Sequence, residues 1–123
     1  MTKATDQLGR QSEDLAAEFL AQKGYQILER NFRSPWGEID IIAQDRDFLV
    51  FVEVRSLSTD YFAQPDETIT RAKKRKLVKS AQFYFQKKKL RETLSRFDVV
   101  SIHYRGPKPH ITLYPHAFSL EEI

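Results

Sequence analysis

Between Glu38 and Arg55 the chain carries two apolar segments, Glu-Ile-Asp-Ile-Ile-Ala-Gln and Leu-Val-Phe-Val-Glu-Val-Arg, joined by a short polar connection, Asp45-Arg46-Asp47. This pattern predicts a β-hairpin with strands Glu38 to Gln44 and Leu49 to Arg55. The side-chain period of two constrains its register, because a slip of one residue turns every side chain to the other face. Pairing Ile41 with Val52 gathers Ile39/Val54, Ile41/Val52 and Ala43/Val50 on one wholly apolar face. The opposite face then carries Gln44/Leu49, Ile42/Phe51, Asp40/Glu53 and Glu38/Arg55, apolar near the turn and charged at the open end. Sliding by one residue would set Asp40 against Val52 and Glu53 against Ile39, mixing both faces. The favoured register sets two carboxylates side by side, which is unfavourable unless a cation or a proton intervenes. Arg55, on the same face as Glu53, can supply that cation as a structural cluster. A hard divalent ion such as Mg²⁺, held by the carboxylate oxygens, is the functional alternative. The residues by themselves leave both open.

Around the hairpin, the apolar stripe Leu15, Ala16, Phe19 and Leu20 predicts a first helix from Ser12 to Lys23, with Ser12 as its cap and Gly24 as its stop. Tyr25 to Arg33 reads as a strand and Ser34-Pro-Trp-Gly37 as a turn. After a loop from Ser56 to about Pro65, a long basic helix spans Asp66 to Lys89, and on its wheel Lys73 lies at the centre of the inward stripe of Ile69, Leu77, Ser80 and Tyr84. Lys74, Arg75 and Lys79 point away from that stripe. Strands at Arg96 to His103 and His110 to Tyr114, joined at Gly106-Pro107, complete an α-β-β-β-α-β-β order, and the tail after Pro115 has no assigned structure. A chain of 123 residues fits one domain, 1–123, with a core over about 9–104 and a C-terminal strand and tail over 105–123.

Net charge is only +3, yet the ten bases between Thr68 and Arg91 have no acid among them, while seventeen acids outnumber the ten bases elsewhere. Segregation of this kind suits a protein that holds a polyanion with one element and keeps carboxylates for another purpose, although lysines that only maintain solubility give the same count. The absence of cysteine excludes disulfides, thiolate nucleophiles and Cys-based metal sites, and His103, His110 and His116 form no HExxH pattern. No apolar run is long enough to cross a bilayer and no signal segment opens the chain, so the expectation is a soluble cytoplasmic protein with no membrane partner.

An acidic residue on one strand, a hairpin, then Glu-X-Lys on the next is the active-site layout of the restriction-endonuclease-like, or PD-(D/E)XK, superfamily, and the chain resembles it in Gly37-Glu-Ile-Asp40 and Phe51-Val-Glu-Val-Arg55. More closely it resembles the YraN-like family of small bacterial proteins, themselves similar to archaeal Holliday-junction resolvases. The matching segments are Gly9, Glu13-Asp-Leu-Ala16, Gly24-Tyr25, Arg30-Asn-Phe-Arg33, Gly37-Glu-Ile-Asp-Ile-Ile-Ala43, Leu49-Val-Phe-Val-Glu-Val54, Lys73 and Arg96-Phe-Asp-Val-Val100. They cover about the first hundred residues, and their order and spacing are more specific than any one of them. The resemblance implies an α/β fold with an α-β-β-β-α-β core, its central mixed sheet flanked by helices. It also implies Mg²⁺ or Mn²⁺ held by Asp40, Glu53 and the backbone carbonyl of Val54, with Glu13 completing the shell unless it is only a first-turn acid stabilised by the helix dipole. Lys73 would face the site from the second helix, with a snorkelling lysine as the plainer alternative. Glu38 reads as a partner for Arg55 or Arg33, and Asp98 as a residue that orders the sheet.

Position 55 departs from the family pattern, which has lysine there. Guanidinium stays protonated, so Arg55 cannot act as a general base, although it can stabilise charge on phosphorus. Three outcomes follow: a weakened nuclease, a nuclease in which Lys73 supplies the missing ammonium, or a nucleic-acid binder without turnover. The leading expectation is a metal-dependent endonuclease-like protein hydrolysing phosphodiesters in DNA, branched or otherwise structured, with Arg30, Arg33, Lys74, Arg75 and Lys79 tracking phosphates. A non-catalytic nucleic-acid-binding module and a protein-interaction domain using the basic helix are the rivals. Oligomeric state is open, a homodimer included.

Overall fold

In the computed structural model, residues 3–57, 69–104 and 106–118 are described. The elements are α1 (Lys3–Gln22), β1 (Gln26–Ser34), β2 (Gly37–Asp45), β3 (Phe48–Leu57), α2 (Arg71–Lys87), β4 (Ser95–His103) and β5 (His110–Phe118). The strands form one sheet in the order β1-β2-β3-β4-β5, with β3 and β4 parallel and every other pair antiparallel. Parallel neighbours need a crossover, and α2 provides it. The result is the expected α/β arrangement, a five-stranded mixed sheet flanked by two helices. No helix among the described residues is long and apolar enough to cross a membrane.

Alternation along the strands builds two cores. Ile41, Ala43, Val50 and Val52 pack with Ala16 and Leu20 of α1, while Ile42, Leu49 and Phe51 pack with Leu77, Val78, Ala81 and Tyr84 of α2. The hairpin register is the expected one over Ile41↔Val52, Ile42↔Phe51, Ala43↔Val50 and Gln44↔Leu49, closed by Arg46 in a left-handed conformation (φ 55°). One face assignment fails: Ile39 belongs to the core beneath α2, not to that of Ile41. Ile39 lies beyond the last β2–β3 pair, Ile41↔Val52, and opposite it on β1 the chain takes a left-handed residue, Asn31 (φ 54°), between the pairs Arg30↔Ile41 and Phe32↔Ile39.

Other boundaries differ from expectation: β3 runs on to Leu57 where the sequence predicts a loop from Ser56, and α2 ends at Lys87 instead of Lys89. α1 starts at Lys3, so Ser12 is not its cap; its buried hydroxyl bonds instead to Ser56 Oγ and, at 2.7 Å, to Tyr104 Oη. α2 starts at Arg71, because the Thr70 hydroxyl accepts the Lys73 N–H and Thr70 itself is extended. Residues 66–68 of the expected helix and 58–65 of the expected loop lie outside the described residues. β5 continues past Pro115 to Phe118, which its position at the edge of the sheet permits. There the register with β4 shifts between Phe97 and Val99, His116 turns left-handed (φ 54°), and its N–H donates to the Asp98 carboxylate at 2.9 Å.

Asp98 is fully buried and also accepts from Arg96 and the Tyr25 hydroxyl, both at 3.0 Å, so it ties β4 to β5 and to the segment after α1. Removing one partner of such a cluster leaves a buried charge uncompensated. Asp98→Ala is expected to lower stability by about 3 kcal/mol or more in urea unfolding, whereas a loss near zero would show that Arg96 is satisfied by Asp45 alone.

Candidate active site

The β2–β3 ladder ends at Ile41↔Val52, although β2 reaches back to Gly37 and β3 forward to Leu57. Each strand keeps its other neighbour: β1 pairs with β2 to Ser34↔Gly37, and β4 pairs with β3 to Leu57↔His103. The sheet therefore forks. At the fork the Val54 N–H donates to Asp40 Oδ2 at 2.8 Å, a side chain standing in for the missing backbone acceptor.

Asp40 is partly buried and Glu53 fully so. Burial first, then hydrogen bonding to and repulsion by Glu53, push the Asp40 carboxyl up to about 8, against the opposing pulls of the Val54 N–H and Lys73. A proton shared with Glu53 is thus one way the pair relieves its repulsion. The other is Lys73, whose Nζ lies 3.5 Å from Glu53 Oε2. Lys73 reaches it from the first turn of α2, where Thr70 fixes the helix start and the inward stripe aims the side chain at the sheet.

On the other side of Asp40 stand Glu13 and Glu38, and one carboxylate oxygen from each of the three lies within 4.8 Å of the others. Glu13 sits in the middle of α1, not in its first turn, so the helix dipole does not account for it. Its carboxyl is raised by burial and then by Asp40 and Glu38, while Arg30 and the Asn31 side chain lower it. Asp40 is consequently the hinge of two carboxylate contacts, one to Glu53 and one to Glu13 and Glu38. A set made only of hard oxygen donors, with repulsion for a cation to relieve, fits Mg²⁺ or Mn²⁺ and not a softer transition metal.

The other expected residues scatter. Among the described residues Arg55 pairs with neither Glu38 nor Glu53: Lys73 is the cation beside Glu53, and Glu38 lies 3.7 Å from Arg33, its partner across β1–β2. The reason is the fork, since β2 and β3 no longer run side by side where Glu38 and Arg55 would have met. Arg30 bonds Asp14 at 2.7 Å, and Arg33 is exposed. Lys74 does not point away from the protein; it is half-buried with its ammonium 5.3 Å from the Phe118 ring, leaving Arg75 and Lys79 as exposed cations of α2. Glu38 is the residue that sequence reasoning undervalued. Its position two before Asp40 on one strand was the available signal, and the competing pairing with Arg33 obscured it.

The profile of the uncharacterised protein family UPF0102 matches residues 12–102. The chain belongs to this family. UPF0102 is the YraN-like group that the sequence motifs indicated. UPF0102 proteins similar to it include one from Persephonella marina, 50% identical over 94 residues (76% of this chain, 81% of the relative). One from Syntrophotalea carbinolica is 37% identical over 121 residues (98% of each), and one from Geobacter metallireducens 41% over 113 residues (92% and 93%). The UPF0102 match spans all of Glu13, Glu38, Asp40, Glu53 and Lys73 and stops before β5.

A carboxyl raised in the folded state favours folding below its unfolded pKa and loses that contribution as pH rises through its folded one. For Asp40 the window runs from 3.8 to about 8. Asp40→Asn preserves an acceptor for Val54 N–H and adds a donor toward Glu53 without the charge. In EDTA its melting temperature should exceed that of the wild type by on the order of 5 °C at pH 8 and by much less near pH 4.5. A pH-independent difference would mean that the pair is not strained.

Proposed function

We propose that this protein is a Mg²⁺- or Mn²⁺-dependent endonuclease-like hydrolase of phosphodiesters in structured DNA. The observation that carries the reading is the junction of buried Glu53, fork-bridging Asp40 and Lys73 3.5 Å from Glu53 at the place where the sheet opens. Asp40 and Glu53 would hold the ion, with the Val54 carbonyl and with Glu13 or Glu38 within reach of Asp40. The ion, when bound, lowers the pKa of water and offsets charge on the scissile phosphate. Val54 N–H fixes one Asp40 oxygen, which orients the other for binding. Lys73 offers the ammonium that the family pattern places at position 55; its Nζ stabilises charge developing on the phosphate and orients the attacking water. Arg55 remains a fixed positive charge that cannot exchange a proton.

A nucleic-acid substrate is favoured because α2 exposes Arg71, Arg75, Lys76 and Lys79 and carries no acid, so phosphates are drawn to the element that also presents Lys73, and DNA is taken from the family resemblance. Contacts of this kind follow backbone geometry and not base sequence. The second reading, a nucleic-acid binder without turnover, is favoured by Arg55 at the position of the family's lysine.

Cleavage of duplex, single-stranded and branched DNA, with RNA alongside, under Mg²⁺ or Mn²⁺ tests the first reading. Lys73→Met should cost about 10²-fold in rate, the scale of one lost charge-stabilising group, and Arg55→Lys should retain or raise it. An inert wild type beside a cleaving Arg55→Lys would install the binder reading for this chain, and inertness of both would remove the catalytic one. Binding has its own check: log affinity against log salt should be steep, and Arg75→Ala and Lys79→Ala should each reduce the slope by about one. Salt-independent binding would point to a protein partner instead.

A further inference from the structure

The chain's one tryptophan stands at the tip of the β1–β2 hairpin, 42% exposed, four residues before Asp40 on the same hairpin. The turn is fixed by hydrogen bonds: Ser34 Oγ donates to the Gly37 carbonyl at 3.0 Å and accepts the Trp36 N–H at 3.2 Å, and it meets the buried Ser80 Oγ of α2 at 2.7 Å. One hydroxyl thus fixes the turn and anchors it to the basic helix. The indole meets Phe83 of α2 at a steep angle (68°, centroids 6.1 Å apart), and Phe83 continues to Phe32 at 6.1 Å.

Cations surround this aromatic row. Lys79 and Lys87 lie one helical turn to either side of Phe83, both exposed, and the Lys87 ammonium is 5.8 Å from the Phe32 ring. Arg33, 87% exposed, precedes the turn. An exposed, rigidly held aromatic between cations, about 13 Å of strand from the carboxylates at roughly 3.3 Å per residue, has the composition of a single-strand binding surface. There, bases stack on rings while phosphates meet lysine and arginine.

Resting on the DNA reading above, we infer that Trp36 stacks on an unpaired nucleobase and makes the protein prefer DNA with unpaired bases beside a duplex over fully paired DNA. A paired base has both faces covered by its neighbours and offers the indole nothing, so the preference belongs to Trp36 and the salt-sensitive affinity to the cations.

The single tryptophan is its own probe. In EDTA, a duplex with a central unpaired bubble should quench its fluorescence, whereas a fully paired duplex of equal length should leave it nearly unchanged while still binding by anisotropy of labelled DNA. Trp36→Leu keeps an apolar contact for Phe83 and lacks a stacking face. It should weaken bubble binding by about tenfold or more and leave duplex binding within about twofold, and Trp36→Phe should recover part of the loss. DNA bound without quenching, or equal loss on both DNAs, overturns the role of Trp36 and leaves the DNA reading standing. Absence of any DNA binding at low salt overturns both. Should Trp36→Leu fail to fold, as judged by circular dichroism, the wild-type quenching comparison decides.

Discussion

When two antiparallel strands stop pairing while each keeps its outer neighbour, the backbone between them is left with donors and no acceptors. In this protein the gap opens beyond Ile41↔Val52, and the Asp40 carboxylate accepts the Val54 N–H across it. Everything at the open end depends on that bond. It keeps a carboxylate in the plane of the sheet, where Glu13 of α1 approaches from one core and Glu53, with Lys73 of α2, belongs to the other. A regular ladder in its place would satisfy the backbone and close the gap.

The arrangement carries a cost in stability. Asp40 is pushed to about 8 chiefly by burial and by Glu53, and Glu13 is raised by burial and by Asp40 and Glu38. Carboxylates so crowded are unfavourable in an otherwise well-paired sheet, and the rest of the fold offsets them with two continuous apolar cores. The same sheet also contains a polar cluster in which nothing is strained in this way: on β4, where it pairs with Val52, Asp98 is fully buried but receives Arg96, the Tyr25 hydroxyl and the His116 N–H. Asp98 is met by donors, whereas Asp40 meets Glu53, Glu13 and Glu38 as well as the Val54 N–H. That contrast separates a carboxylate satisfied by its partners from one crowded by like charge.

Much of this geometry was legible in the sequence, and the parts that were not share a cause. The hairpin register over residues 41–52 followed from alternation, because both faces there are buried and a slip would expose one. The inward direction of Lys73 followed from helical periodicity. Features set by single long-range contacts were hidden. Ser12 looks like a cap until Ser56 and Tyr104 are seen to take its hydroxyl. Ile39 changes cores where the β2–β3 pairing has ended. β5 runs through Pro115 because the sheet ends there and Asp98 accepts the displaced His116 N–H. Lys74 turns back over Phe118, a residue that the wheel of α2 does not contain. The pairing of Arg55 with Glu38 rests on register, and the fork removes the register where that pairing needs it.

On the reading proposed above, the fork binds a divalent cation in exchange for the proton that burial and Glu53 favour on Asp40. Calorimetric titration with Mn²⁺ at pH 7, repeated in two buffers of different ionisation enthalpy, reads both the binding and the proton released with it. The account predicts binding accompanied by release of a sizeable fraction of a proton in the wild type, and loss of both in Asp40→Asn. Equal Mn²⁺ binding by the two proteins, or binding with no buffer dependence, would contradict it.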